Sequence, residues 1–168
     1  MEVRDASVDD LPGILAIFNE VIANSTAIWF DTLENLEGRR QWFEARHARG
    51  FPILVAVEAG DMLGYSTFGD FRAWHGYRHT VEHSIYVRAD SRRAGIGRIL
   101  LSALIERATA SRAHVMVGAI EASNHASLAL HMGLGFKEVA RMPEVGCKFG
   151  RWLDLVLVQR LLDSRKTP

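Results

Sequence analysis

Val81-Glu82-His83-Ser84-Ile85-Tyr86-Val87-Arg88-Ala89-Asp90-Ser91-Arg92-Arg93-Ala94-Gly95-Ile96-Gly97-Arg98-Ile99-Leu100-Leu101-Ser102-Ala103-Leu104 is the stretch that decides the reading of the chain. From Thr80 to Val87 it is rich in β-branched and aromatic residues, the composition of a buried strand. From Ile96 to Ala108, apolar residues at 96, 99, 100, 103, 104 and 108 fit one face of a helix. Between them, Arg92-Arg93-Ala94-Gly95-Ile96-Gly97-Arg98 forms a Gly-rich turn at a helix N-terminus. Such a turn presents free backbone N–H groups backed by the positive end of the helix dipole. Gly95 and Gly97 allow close backbone approach to a ligand, and the arginines add charge-assisted donors. The physical reading is a pyrophosphate cradle.

Spacing narrows the kind of cradle. No Lys-Ser or Lys-Thr follows Gly97, so the Walker pattern is absent. There is no third glycine in Gly-x-Gly-x-x-Gly register, which removes the dinucleotide fingerprint. What remains is Arg-x-x-Gly-x-Gly after an apolar strand, and from spacing alone an ordinary strand-to-helix connection also accommodates it.

With 168 residues, 48% hydrophobic and 24% charged, the chain has the size and composition of a single globular domain spanning 1–168. Twenty basic and 20 acidic residues cancel, which argues against a general nucleic-acid or anionic-membrane binder. One cysteine, Cys147, permits no intrachain disulfide and reads as a structural or incidental thiol; no Cys/His cluster has metal-ligand spacing. No apolar signal segment opens the sequence and no run approaches ~18 apolar residues, so the expectation is a cytoplasmic protein.

Outward from the central stretch, Val3–Ala6 reads as a first strand and Ser7 as a helix cap. Leu11, Ile14, Leu15, Phe18 and Ile22 follow as a buried stripe. Ala27-Ile28-Trp29-Phe30 is an apolar loop, either core cover or a pocket wall. A second helix is expected over Leu33–Arg49, burying Leu36, Trp42 and Phe43, with Arg39, Arg40, Glu44, Arg46 and Arg49 on a solvated face. Phe51–Val57 and Met62–Phe68 form a hairpin about Glu58–Asp61. Phe71–Arg78 is an aromatic, cationic loop: either Arg72, Ala73 and Trp74 contact a small anionic or zwitterionic ligand, or the aromatics pack on a second subunit. Ala113–Ile120 is a strand, Asn124 or Ser123 caps a short helix through Met132, and Lys137–Met142 is a strand. Pro143–Gly150 reads as a loop, Trp152–Arg160 as the last strand, and Ser164–Pro168 as a fraying tail. The sum is a mixed α/β sheet flanked by helices, not a doubly wound parallel one.

Two motifs together carry a family resemblance. Arg92-x-x-Gly95-x-Gly97 resembles the coenzyme A signature of the GCN5-related N-acetyltransferases (GNAT). Asn124-x-x-Ser127-x-x-Leu130-His131-x-x-Leu134-Gly135-Phe136 resembles the element that follows the fifth strand in that family. Val81–Val87, the Leu130-His131 pair and Lys148–Asp154 look like its phosphinothricin acetyltransferase branch. The resemblance implies a splayed central sheet with acetyl-CoA lying between two parallel strands, here those ending at Val87 and Ile120. It implies a homodimer, and an activity that acetylates the α-amine of phosphinothricin, methionine sulfoximine or methionine sulfone.

It also implies roles. Ile85, Tyr86 and Val87 would lend backbone groups to the acetyl and pantetheine portions. Residues Arg92, Arg93, Ala94, Gly95, Ile96, Gly97 and Arg98 would hold the pyrophosphate. Asn124 would bond the pantetheine arm with Ser127 nearby, unless Asn124 is only a helix cap.

Acetyl transfer to an amine needs a base, an oxyanion donor and an acid for the thiolate. Glu82 is the candidate base, or else a carboxylate that only holds the substrate ammonium. The Val87 N–H is the oxyanion donor. His131, standing where many relatives have Tyr, is either the acid or a buried packing residue. Arg72 would grip the substrate carboxylate with Trp74 as a wall. Glu82, His83 and Ser84 complete the substrate set, though strand alternation places His83 on the face opposite Glu82. Lys148, Phe149 and Arg151 are weaker candidates, reaching into a neighbouring subunit's pocket. Two other functions fit the same resemblance: acetylation of a protein N-terminus or polyamine, and acetyl-CoA binding without turnover.

Overall fold

The computed structural model describes residues 1–168. In chain order its elements are β1 (Glu2–Asp5), α1 (Leu11–Asn24), α2 (Leu36–Ala48), β2 (Ile53–Glu58), β3 (Asp61–Asp70), β4 (Thr80–Val87), α3 (Ile96–Ala110), β5 (Val115–Glu121), α4 (His125–Met132), β6 (Lys137–Lys148) and β7 (Arg151–Leu161). The seven strands form one sheet in the order β1-β2-β3-β4-β5-β7-β6. Every neighbouring pair is antiparallel except β4–β5. That single parallel pair positions everything described below. It is hydrogen-bonded only from Thr80↔Val115 to Glu82↔Val117, after which the strands part, although β4 runs on to Val87 and β5 to Glu121. The expected splay is therefore present, with its vertex at Glu82.

Helices cover both faces. Leu100, Leu101, Leu104 and Ala108 of α3 pack with Leu54, Phe68, Met116 and Val156 in the larger core. Leu11, Ile14 and Ile17 of α1 and Phe43 of α2 pack on Val55 and Tyr65 from the other side. Because β3 is enclosed from both faces, its residues from Leu63 to Gly69 are all buried instead of alternating. No helix is long and apolar enough to cross a membrane.

Several local expectations are corrected. In α1 the buried stripe is Leu11, Ile14, Ile17, Val21 and Ile22, with Leu15 and Phe18 only half-buried. In α3, Ile99 is exposed, while Leu101 and Ile105 are buried. The apolar positions of both helices exceed one face, and packing chose among them. The second helix starts later than expected, at Leu36, because the Asn35 side chain accepts from the Gly38 N–H and caps it there. Within it Leu36 is exposed and Arg39 is buried. Residues 143–148 are not a loop: β6 continues through them, shifting register between Met142 and Gly146, and only Phe149 and Gly150, both at positive φ, make the turn to β7.

Candidate active site

Beyond Glu82 and Val117 the parting strands leave a cavity of about 220 Å³, walled by Glu82, Ser84 and Ile85 of β4, by Gly118–Glu121 of β5 and by Asn124, Ser127 and His131 around α4. A second, wider cavity of about 550 Å³ adjoins it, sharing Ala27, Ser84 and Tyr86. Its walls are apolar and aromatic, from Phe18 of α1, Ile28, Phe30 and Leu33 of the following loop, and Trp42 of α2. At residues 27–30 core cover and pocket wall divide by residue: Ile28 is buried yet lines the cavity, and Phe30 is exposed on its rim.

The turn after β4 has the backbone form that a cradle needs. Gly95 is the N-cap of α3 at φ +82, with no side chain capping the helix, so the first N–H groups of α3 are left for a ligand. Arg93 also has positive φ. Gly97 also meets a packing constraint: a Cβ there would stand 3.3 Å from Leu130, so its bare backbone lets α3 lie against α4. Arg92 folds back, its guanidinium donating to the Val87 carbonyl and to Glu20, both at 3.3 Å. Arg93, Ala94 and Arg98 are exposed, with Arg98 donating to the Gly133 carbonyl at 3.4 Å.

Glu82 is half-buried on the cavity wall. Burial raises its pKa, opposed by the charges of Arg72 and Arg46. Ser84 faces the same way and lines both cavities. The Tyr86 ring packs edge-on to Phe18 and against Tyr65, so its side chain belongs to the wall of the second cavity; burial raises its phenol, with a Ser84 hydrogen bond opposing.

His83 points to the other face, as alternation requires, and is 6% exposed. Its Nδ1 lies 2.8 Å from the Val117 carbonyl and its Nε2 lies 2.8 Å from Nε2 of His131. Both ring nitrogens are thus engaged within the protein, although the residue borders the first cavity. His131 is 2% exposed, with Nδ1 2.7 Å from the Ser127 carbonyl. Burial lowers the pKa of both rings, that of His83 to about 3, with the His131 charge adding to it. Asn124 accepts from the Ser127 N–H at 3.1 Å and caps α4, while also lining the cavity.

The aromatic loop is placed differently from the cavity walls. The Arg72 guanidinium lies over the Phe71 ring at 5.1 Å, close enough for its charge to act on Glu82. Arg72, Ala73 and Trp74 line neither cavity, and Trp74 is 79% exposed. Lys148 does not reach outward. It is 3% exposed, and its ammonium donates to the carbonyls of Ile22, Ser25 and Ile28 at 2.7, 2.8 and 2.6 Å. Phe149 and Arg151 are exposed at the β6–β7 turn.

Sequence reasoning missed three features. Arg39, read as part of a solvated face, is buried in the wall of the second cavity; it pairs with Glu34 and lies over the rings of Phe18 (3.8 Å) and Trp42 (4.5 Å). Glu121, one residue past the expected end of its strand, belongs to β5; it is buried and accepts from Thr26 Oγ1 (2.9 Å) and from Ser123 N and Oγ (2.9 and 2.5 Å), fastening the 25–30 loop to the end of β5. The third is the His83–His131 contact. Asn35, a good N-cap three residues before Gly38, was the available signal for where α2 begins and so for the place of Arg39.

Known proteins resemble this chain closely in both sequence and fold. Over 98% of this chain and 96% of its own length, the L-methionine sulfoximine/L-methionine sulfone acetyltransferase of Pseudomonas paraeruginosa is 55% identical. The crystal structure of a ribosomal-protein-alanine N-acetyltransferase from Brucella melitensis superposes with a TM-score of 0.95 at 48% identity, covering 96% of this chain and 99% of that one. A phosphinothricin acetyltransferase from Sinorhizobium meliloti, solved in complex with acetyl-CoA, gives 0.93 at 36% identity, covering 95% and 87%. The family profile described as Acetyltransferase (GNAT) family matches residues 14–136, a span that holds most of α1, the split strands, the Gly95 turn and α4, and the chain therefore belongs to that family.

Proposed function

We propose that this chain is an acetyl-CoA-dependent N-acetyltransferase acting on the α-amine of a small amino-acid analogue: methionine sulfoximine, methionine sulfone or phosphinothricin. The observation that carries this reading is the pair of joined cavities. One lies in the β4–β5 split, and the other is an apolar, aromatic chamber that meets it at Ala27, Ser84 and Tyr86; β4 itself runs on to the turn before the uncapped α3 N-terminus. The first suits a pantetheine arm and thioester. The second suits a short, methionine-like side chain. The similarity to the Pseudomonas enzyme supports the same substrate class.

In this reading the backbone N–H groups of residues 93–98 hold the pyrophosphate at the start of α3. Residues Ile85, Tyr86 and Val87 line the thioester arm from β4, while Asn124 and Ser127 do so from α4. An α-amine is largely protonated at neutral pH, and Glu82, made a stronger base by burial, takes its proton. The Val87 N–H donates to the oxyanion that develops at the carbonyl. The C–S bond then breaks, and His131 supplies the proton that the leaving sulfur takes up. Arg72, already within electrostatic reach of Glu82, holds the substrate carboxylate.

The active unit is a cytoplasmic homodimer, with the exposed aromatics Trp74, Phe149 and Trp152 available to a second copy. A second reading, acetylation of a protein N-terminus, is favoured by the likeness to the Brucella protein.

Thiol release from acetyl-CoA, measured against methionine sulfoximine, methionine sulfone, phosphinothricin, a polyamine and an alanine-terminated peptide, separates these readings. Turnover of the amino-acid analogues is expected. Turnover of the peptide alone would replace the first reading by the second, and acetyl-CoA binding with no turnover of any amine would remove both.

A further inference from the structure

Three short contacts run in line through the two buried histidines: Val117 O to His83 Nδ1 (2.8 Å), His83 Nε2 to His131 Nε2 (2.8 Å), and His131 Nδ1 to Ser127 O (2.7 Å). A carbonyl can only accept, so each Nδ1 must carry a hydrogen. The central nitrogen pair needs one hydrogen as well, since two bare lone pairs at that distance repel. Three contacts therefore require three protons on four ring nitrogens. Two neutral imidazoles carry two.

In any neutral arrangement, one of the three contacts sets two lone pairs face to face between rings that are 6% and 2% exposed. Burial penalises a charge here, but leaving a buried polar contact repulsive also costs, and the extra proton turns all three into hydrogen bonds, two of them charge-assisted.

We infer that His83 and His131 form one proton-holding unit, an imidazole–imidazolium pair with a single positive charge shared across the Nε2–Nε2 contact. His83 is then a positioning residue, whose part is to keep His131 doubly protonated.

The surroundings suit this. Phe136 lies against both rings, with centroids 5.4 Å from His83 and 5.2 Å from His131. Gly118 of β5 leaves the space that the His83 ring occupies. The carboxylates on the same cavity are Glu82, which alternation turns to the opposite face of β4, and Glu121, which is engaged by Thr26 and Ser123. His125 at the start of α4 is exposed, and Arg160 of β7 is bonded to the Leu134 carbonyl. Neither histidine has a carboxylate counter-ion, so the pair is poised to give its extra proton away. The outlet is Ser127, whose hydroxyl lies 3.5 Å from His131 Nδ1 and lines the cavity.

The use of that proton rests on the acetyl-transfer reading. As the C–S bond breaks and its electron pair goes to sulfur, Ser127 gives its hydroxyl proton to the thiolate and takes the Nδ1 proton of His131. The pair is left neutral with two protons, and bulk water returns the third after product leaves. No electron is gained or lost by the protein.

The proton count is measurable on the wild-type protein without any substrate. In protein carrying ¹⁵N-labelled histidine, long-range ¹H–¹⁵N correlation over the working pH range should show both Nδ1 nitrogens protonated and a third proton on the Nε2 pair, lost in one step as pH rises. Two protons on the pair throughout that range would overturn the inference.

Kinetics then test the use. His83→Leu removes the shared-proton partner, so kcat should fall ~10-fold or more and the alkaline limb of its pH profile, which in wild type follows the loss of the third proton, should disappear, while acetyl-CoA affinity is kept. Three protons by NMR together with an unchanged limb in His83→Leu would uphold the charged pair and remove His131 as the thiol's proton donor.

Discussion

Gly118 of β5 lies directly under the imidazole of His83: a Cβ on Gly118 would stand 2.7 Å from His83 Cε1 and 3.1 Å from Val158 Cγ2. The glycine is there to admit a ring from the neighbouring strand, at the first β5 position past the last β4–β5 pair. Gly118→Ala must push His83 off the Val117 carbonyl or off His131. The expected loss of stability is about 1–3 kcal/mol, the usual range for overpacking a filled core, read from urea denaturation, with turnover falling more than that loss explains. A variant of wild-type stability and rate would mean that the His83 ring relaxes freely.

Glu82→Gln removes the base but keeps its shape. Turnover should fall roughly 10²–10⁴-fold, the range for a positioned general base, with the dissociation constant for acetyl-CoA unchanged by calorimetry. The pH dependence follows from the direction of the shift. Burial raises the Glu82 pKa, and only the ionised form accepts a proton. Activity should therefore be lost on acidification at a higher pH than an exposed glutamate would give. An acid limb in the ordinary carboxylate range, or a Gln variant at wild-type rate, would assign the proton to another acceptor.

Gly95→Ala tests the cradle. Its φ of +82 is a conformation that L-residues adopt at a cost of roughly 1–2 kcal/mol, while nothing stands within 4 Å of an added Cβ. The cost thus falls on the backbone at the α3 N-terminus. Acetyl-CoA affinity should weaken by about 5- to 30-fold, that same energy expressed as a ratio, with the fold intact by circular dichroism. Unchanged affinity would place the pyrophosphate elsewhere.

Lys148→Met leaves the carbonyls of Ile22, Ser25 and Ile28 without their shared donor. Each stranded buried acceptor costs about 1–3 kcal/mol, and water entering the site offsets part of this, so a net loss of roughly 2–5 kcal/mol is expected. The 25–30 loop walls the second cavity, so the KM for the amine should rise while acetyl-CoA affinity holds. An equal effect on both substrates would show a general loss of structure instead of a loosened wall.

The strand, turn and helix from Thr80 to Ala108 were legible in the sequence because each obeys a short-range rule: β-branched residues for the strand, glycines for the turn, a 3.6-residue period for the helix. The mixed sheet followed from the order of such segments, and the family from two motifs at fixed spacing. Within that frame strand alternation alone set His83 apart from Ser84, and in the structure Ser84 lines the second cavity while His83 meets Val117 and His131.

Tertiary structure alone decided where the long and charged side chains went. Lys148 meets the carbonyl of a residue 126 positions away. His83 meets His131 across 48, and Glu121 meets Thr26 across 95. Arg39 looked solvated because its neighbours in sequence are charged, yet the faces that matter to it are the rings of Phe18 and Trp42. No local period encodes such meetings. They arise when the sheet sets distant segments side by side, and a buried donor or charge then takes the partner that the packing supplies.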